Sequence, residues 1–180
     1  MAPSFVFNWF RPATATPAAA PVASFAEVYE THVDFVWRLA RRLGVPEASV
    51  ADAVQDVFVV VHRKLGAFEG RSSMRTWLFG IVRRVARDHR APRREAPLED
   101  ADALPTSQAS PQESAERAES LRVLHALLET LDDERREVFV LSELEEMPMP
   151  EVAEALGVNV NTAYARLRSA RRDLDAALAR

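Results

Sequence analysis

The sequence PEVAEALGVNVNTAYARLRSARRDLDAALAR, at residues 150–180, predicts two helices separated by a tight turn. Pro150 suits the first position of a helix because its missing N–H is not needed there, and Gly157 is typical of a helix end. In the second helix, small and apolar residues form one inward face: Ala163, Leu167, Ala170 and Leu174. The other faces are polar and cationic. The pattern predicts a helix-turn-helix whose last helix enters the major groove of DNA, and a chance amphipathic hairpin is the alternative.

Charge is unevenly distributed along the chain. The protein has a net charge of -4, yet residues 71–94 contain eight arginines and only one acidic residue, Asp88. An arginine stripe without nearby carboxylates repels itself, so this one indicates a polyanionic partner.

Composition narrows the class of protein. The chain has 180 residues, of which 48% are apolar and 28% charged, and it contains no cysteine. Its four histidines lack ligand-like spacing, so we expect no metal and no cofactor. No apolar run is long enough to span a membrane and no secretory signal is evident, which predicts a cytoplasmic protein. Paired carboxylates at Asp52, Asp56 and Glu69 lack a histidine, cysteine or phosphate-binding loop, so we expect no enzyme and no small-molecule substrate.

The chain divides by composition into four parts. Residues 1–24 are rich in alanine, proline and threonine and predict a disordered tail, and residues 95–117 read as a flexible acidic linker. Helical periodicity marks residues 25–94 and 118–180 as two small domains, and no alternating strand pattern occurs. The expected fold is therefore all-α, with a helical bundle followed by the helix-turn-helix.

Three helices are predicted in the first domain. The first begins at a Ser24 cap and ends at Gly44. The second buries a stripe of five residues: Val54, Val57, Phe58, Val61 and Leu65. Its opposite face carries Asp52, Asp56, Val59 and Arg63, with Gln55 and Val60 at its margins. A valine there is either a tolerated surface residue or part of a protein-docking face.

The third helix carries most of the arginines. Its predicted buried residues are Met74, Leu78, Ile81, Val82 and Val85. Its predicted outer residues are Thr76, Gly80, Arg83, Arg84, Arg87 and Arg90. The loop FEGRSS at residues 68–73 precedes it, and Trp77 is either partial core or a platform on which a base stacks.

Two segments together carry a family resemblance. Residues 51–90 and, after the acidic linker, residues 128–174 are similar to region 2 and region 4 of an extracytoplasmic-function (ECF) sigma factor of the sigma-70 family, group 4. The resemblance covers roughly residues 25–178 in the family's order. It implies a promoter-specificity subunit of bacterial RNA polymerase that acts in transcription regulation, typically in stress responses.

The resemblance assigns roles to individual residues. The polymerase-binding face, on the clamp helices of the beta-prime subunit, would be Asp52, Gln55, Asp56 and Val59. Contacts to the minus-10 element would come from Arg71, Ser72, Arg75, Thr76, Trp77, Arg83, Arg84, Arg87 and Arg90. Contacts to the minus-35 element would come from Asn161, Thr162, Tyr164, Ala165, Arg166, Arg168 and Arg171.

Partners also follow from the resemblance. Residues 132–144 match the part near the flap of the polymerase beta subunit, and the acidic linker is similar to those that thread the polymerase channels. An anti-sigma factor, often membrane-bound, commonly holds members of this family. The alternative function is a two-domain helix-turn-helix regulator that does not bind core polymerase.

Overall fold

The computed structural model describes residues 24–90 and 111–179, with side chains described from residue 119 onward in the second range. These residues form helices and connecting turns and contain no strand, so the all-α prediction is confirmed. The helices are α1 (Phe25–Arg42), α2 (Val50–Lys64), α3 (Met74–Arg90), α4 (Pro111–Glu129), α5 (Asp133–Phe139), α6 (Met149–Leu156) and α7 (Val160–Leu178). Short 3-10 turns occupy Glu47–Ser49 and Leu65–Ala67, and a π-helical turn at Val140–Leu144 continues α5.

Helices α1–α3 form an N-terminal half around a shared core. Ser24 caps α1, because its Oγ accepts from the Glu27 N–H at 3.3 Å while the Glu27 carboxylate accepts from the Ser24 N–H at 2.7 Å. All five residues of the predicted inner stripe of α2 are buried. In α3, Leu78, Val82 and Val85 are buried as expected, whereas Met74 and Ile81 are half-buried.

Helices α4–α7 form a C-terminal half in which α7 packs against both α5 and α6. Gly157 ends α6 with φ +67°, and the Asn159 side chain caps α7 by accepting from the Thr162 N–H at 2.7 Å. The predicted inner face of α7 is buried throughout. Helix α6 begins at Met149 and not at Pro150, which occupies its second position, still within the turn that needs no proline N–H.

The boundary predicted at residue 118 falls inside α4, which begins at Pro111. Proline at the first position of a helix has a suitable φ and no N–H to satisfy. The apolar residues of α4 are distributed around the helix, with Val123 exposed and Leu128 buried, which explains the weak periodicity of this segment. The predicted tail and most of the predicted linker lie outside the described residues.

The two halves share one continuous hydrophobic core. Helix α6 packs against α3, and α4 contacts α1. Gly44, with φ +87°, lies at this junction: a Cβ there would meet the Arg136 guanidinium at 2.8 Å. No helix in the described parts of the chain is long and apolar enough to cross a membrane.

Candidate polymerase and nucleic-acid interfaces

The outer face of α2 is open to solvent. Asp52, Gln55, Asp56 and Val59 are all exposed, and the Val59 side chain is 41% exposed. The Asp56 carboxylate lies 2.9 Å from Nε2 of His89 on α3. We call these four α2 residues the α2 face. It combines acceptor groups with one apolar contact, a composition that suits a protein partner.

The loop before α3 places its polar groups around the start of that helix. Ser73 caps α3, since its Oγ accepts from the Thr76 N–H at 3.1 Å and lies 3.0 Å from Thr76 Oγ1. Thr76 was expected on the outer surface, but the structure buries it, because its hydroxyl is held by this cap. Ser73 was missed as the cap, although a serine just before an apolar-periodic segment is a recognised signal. Arg71 is exposed and pairs with Glu69.

Trp77 lies between the two predicted environments. It is half-buried, and its ring packs against Phe68 with a centroid separation of 5.0 Å and an interplanar angle of 45°. Part of the indole surface is therefore buried against Phe68, as expected for a core residue. The remainder of the ring is accessible to solvent.

The arginines of α3 divide into free and paired groups. Arg84 and Arg87 are exposed, and within residues 24–90 and 119–179 neither forms an ion pair. Arg83 Nε donates to Glu137 at 2.6 Å, and Arg90 forms a bidentate pair with Asp133 at 2.7 Å for both bonds. The expectation of an uncompensated stripe is therefore wrong for Arg83 and Arg90. Their partners come from α5, which the sequence places far from α3.

The contact between α3 and α5 shifts the pKa values of two carboxyl groups, Glu137 and Asp133. Burial raises the pKa of the Glu137 carboxyl, and the hydrogen bond from Arg83 acts in the opposite direction. At the exposed edge, the hydrogen bond from Arg90 lowers the pKa of Asp133. The carboxylate of Glu137 is thus held in a site that disfavours its charge, with Arg83 as the partner that offsets the cost.

A second cross-contact centres on Glu145, whose side chain is only 2% exposed. Arg38 donates from Nε and Nη2 to its two carboxylate oxygens at 3.2 and 3.1 Å. Arg42 donates to Oε1 of the same carboxylate. Arg75 Nη2 lies 3.2 Å from Oε2 and donates to the Glu145 backbone carbonyl at 2.8 Å. We call Arg38, Arg42 and Arg75 the arginine triad. Arg75, a predicted minus-10 contact, is therefore also paired in this structure.

The outer surface of α7 carries the predicted minus-35 residues. Five of them are exposed: Asn161, Tyr164, Ala165, Arg168 and Arg171. Thr162 and Arg166 are half-buried, and Arg166 pairs with Glu134 at 2.8 Å. Arg171 pairs with Glu143 at 2.6 Å, whereas Arg168 has no ion-pair partner in the described parts of the chain. Arg168 and Tyr164, which is 50% exposed, are therefore the most available groups for a DNA base.

The described residues contain no group of three or more histidine, cysteine, aspartate or glutamate side chains able to hold a metal ion. The chemistry available at these surfaces is hydrogen bonding, charge pairing and aromatic packing.

Comparison with known proteins gives matches over both halves. Residues 28–95 match the family model of sigma-70 region 2, and residues 121–174 match that of sigma-70 region 4. The chain is 31% identical over 162 residues to the RNA polymerase sigma factor NccH of Alcaligenes xylosoxydans xylosoxydans, covering 86% of this chain and 87% of NccH. It is 34% identical over 166 residues to the RNA polymerase sigma factor CnrH of Cupriavidus metallidurans, covering 86% of each.

Two solved structures of sigma factors also match this chain. CnrH in complex with the cytosolic domain of CnrY matches with a TM-score of 0.67 and 32% identity over 86% of each chain. The sigma factor RpoE of Bartonella quintana, solved with the anti-sigma factor NepR, matches in fold with a TM-score of 0.60 at 20% identity, covering 86% of this chain and 96% of that one.

The chain therefore belongs to the sigma-70 family, as an ECF RNA polymerase sigma factor of group 4. The resemblance drawn from the sequence is confirmed. The alternative of a regulator that leaves the polymerase unbound is not supported.

Proposed function

We propose that the protein binds bacterial core RNA polymerase through the α2 face and directs initiation at promoters, with α3 at the minus-10 element and α7 at the minus-35 element. The observation that carries this proposal is that both sigma-70 regions occur in family order in this chain, with part of each proposed contact set exposed to solvent. The catalytic chemistry belongs to the polymerase, and the protein acts in the cytoplasm as its specificity subunit.

The α2 face supports docking on the clamp helices of the beta-prime subunit. Val59 is 41% exposed, so a partner surface that covers the exposed part recovers a burial free energy of about 1 kcal/mol. Asp52 is exposed and forms no ion pair within the described residues, so it can accept a charged hydrogen bond from a partner, whereas Asp56 can do so only beside His89, which lies 2.9 Å from its carboxylate. An apolar centre with a polar rim is the usual anatomy of such an interface.

Helix α3 and the loop before it support contacts with the minus-10 element. Its exposed arginines, Arg84 and Arg87, are available for phosphates, which fix position and not sequence. Trp77 is partly accessible, and the loop that precedes α3 carries Arg71 and Ser72, groups of the kind that hold an unstacked base. Thr76 contributes through the cap it forms with Ser73, so its role is to position the loop.

The N-terminal half of α7 supports contacts with the minus-35 element. In a helix-turn-helix, the first residues of the recognition helix reach the base edges, and Asn161, Tyr164 and Ala165 occupy that part of α7. Arg168 follows one turn later and is free to reach a guanine or a phosphate. Arg166 and Arg171 reach DNA only by exchanging Glu134 and Glu143 for phosphates.

The contacts between the two halves also affect which surfaces are available to the polymerase and to an anti-sigma factor. Glu137 and Asp133 lie in the segment proposed to meet the beta flap, and in this structure both are engaged by arginines of α3. We propose that the halves separate when the protein joins the polymerase. We also propose an anti-sigma factor that keeps the protein from the polymerase, by analogy with CnrH, which was solved with the cytosolic domain of CnrY. A membrane-bound form of that partner is part of this proposal.

Copurification with core polymerase tests the proposal. The double variant Asp56→Arg with Val59→Glu places a positive and a negative charge on the α2 face, and we expect it to lose core binding while retaining the helical fold. Val123→Glu is the matched control, because Val123 on α4 is similarly exposed, at 48%, and lies outside the proposed interface. Recovery of the double variant with core at the yield of the control would refute the assignment.

A further inference from the structure

The arginine triad carries more positive charge than its partner neutralises. Three guanidinium groups surround the single carboxylate of Glu145, and a further nearby acid, Asp34 beside Arg38, is exposed. Arg38 and Arg42 lie one turn apart on α1, and Arg75 reaches the same point from α3. A cluster of this kind is built for an anion with several acceptor oxygens.

The triad is held by the N-terminal half itself. The Arg75 guanidinium lies over the Phe35 ring, 4.7 Å from its centroid, and Phe35 is buried in the core of that half. Both α1 arginines project from a helix whose inner face is buried. The site therefore does not depend on the C-terminal half for its elements, although that half fills it in this structure.

We propose that the arginine triad is a binding site for a phosphodiester group of the promoter DNA backbone, and that Glu145 occupies this site while the two halves are together. A carboxylate and a phosphodiester both present two anionic oxygens to an arginine fork, so one replaces the other without rearranging the triad. Arg38 and Arg42 thereby become DNA contacts on α1, beyond those assigned to α3. The inference rests on the proposed function, because it requires the halves to separate on promoter DNA.

The effect of Arg42→Gln in the Glu145→Gln background distinguishes a phosphate site from a contact that only holds the two halves together. If the triad only holds Glu145, then Glu145→Gln releases the halves and raises the affinity for DNA, and adding Arg42→Gln does not lower that affinity. If the triad binds phosphate, Glu145→Gln raises the affinity by freeing the site, whereas Arg42→Gln in the Glu145→Gln background lowers it.

The experiment measures binding of the full-length protein to a labelled DNA duplex of mixed sequence with a single-stranded extension, across a salt series. Relative to Glu145→Gln alone, we expect Glu145→Gln with Arg42→Gln to bind about tenfold more weakly. Its log-affinity against log-salt slope should be shallower by about 0.7 to 0.9, the loss of one phosphate contact. Arg38→Gln provides a second variant at a more exposed position, and Arg41→Gln is the control, because Arg41 pairs with Glu47 at 3.0 Å.

Three results would overturn the inference: an unchanged affinity in Glu145→Gln, an unchanged salt slope on loss of Arg38 or Arg42, or equal gains in affinity from Glu145→Gln and Arg42→Gln. Copurification with core polymerase separates this failure from failure of the proposed function. If the variants bind core while the salt slope is unchanged, only the triad assignment is lost. If wild-type protein does not bind core, the proposed function itself is lost.

Discussion

Arg83 on α3 donates to the buried carboxylate of Glu137 on α5 at 2.6 Å, joining the two halves of the protein through a residue predicted to bind DNA. The same arginine thus holds the two halves together in this structure and is a candidate DNA contact once the halves separate. It cannot contact Glu137 and a phosphate in the same geometry, so DNA binding and closure compete for it.

Removing Arg83 should destabilise the closed fold. In Arg83→Ala, Glu137 stays buried without its charged donor, which should lower the free energy of unfolding by about 1 to 3 kcal/mol. Urea unfolding followed by circular dichroism measures the change. Arg84→Ala is the control, because Arg84 is exposed and unpaired within the described ranges, and equal effects of the two substitutions would contradict this account.

The free arginines of α3 should act through phosphates. Replacing Arg84 and Arg87 with alanine should weaken binding across DNA sequences and make the salt slope shallower by about one to two units. Fluorescence anisotropy of the holoenzyme on promoter DNA provides the measurement. Arg122→Ala, on the exposed side of α4, should leave the slope unchanged. A slope that stays at the wild-type value in the double variant would show that these arginines do not meet phosphate.

Arg168 should contribute to sequence discrimination at the minus-35 element. We expect Arg168→Ala to reduce the preference for a promoter over one altered at its minus-35 bases by about 1 to 3 kcal/mol. Arg84→Ala should weaken both promoters equally, because a phosphate contact carries no sequence information. Competition transcription from the two promoters in one reaction compares the variants. An undiminished preference in Arg168→Ala would remove Arg168 from base recognition.

Stability should fall as the solution becomes more acidic. Burial, followed by repulsion from Arg41, lowers the pKa of His125 below its ordinary 6.5, and burial with Arg75 does the same for His32. Below pH 6.5 the unfolded chain therefore binds protons that the folded chain does not, and stability present above that pH is lost as the pH falls through the folded-state pKa values.

Urea unfolding at a series of pH values from about 7.5 to 5.5 tests this dependence. Glu137, with its raised pKa, contributes with the opposite sign, since its stabilisation is lost as the pH rises through its folded-state pKa. That contribution is common to wild type and to a variant with His32→Gln and His125→Gln, so their difference isolates the histidines. A variant with the same pH dependence as wild type would contradict the assignment.

Local features were predictable from the sequence because their causes lie within a few residues. The Ser24 cap, the Gly44 and Gly157 helix ends and the inner stripes of α2 and α7 depend on neighbouring positions. Thr76 was misplaced because helical periodicity alone puts it on the outer face, whereas the contacts of its N–H and hydroxyl with the Ser73 cap depend on the preceding loop. The paired state of Arg83 and Arg90 depended on contacts across more than forty residues of chain.

Glu145 shows most clearly what the sequence alone could not predict. It belongs to the acidic run ELEEM at residues 143–147, where Glu143 and Glu146 are exposed and Glu145 is buried. Nothing in that run distinguishes the three carboxylates. The distinction comes from α1 and α3, which supply the arginine triad only after the two halves have packed together.

The most direct test of the central claim is run-off transcription by bacterial core polymerase on a randomised promoter library, with and without the protein. We predict that the protein enriches transcripts whose templates share two elements at a fixed spacing, and that Val59→Glu abolishes the enrichment while Val123→Glu preserves it. The same transcripts from core alone, or equal enrichment by Val59→Glu and wild type, would contradict the assignment of this chain's surfaces.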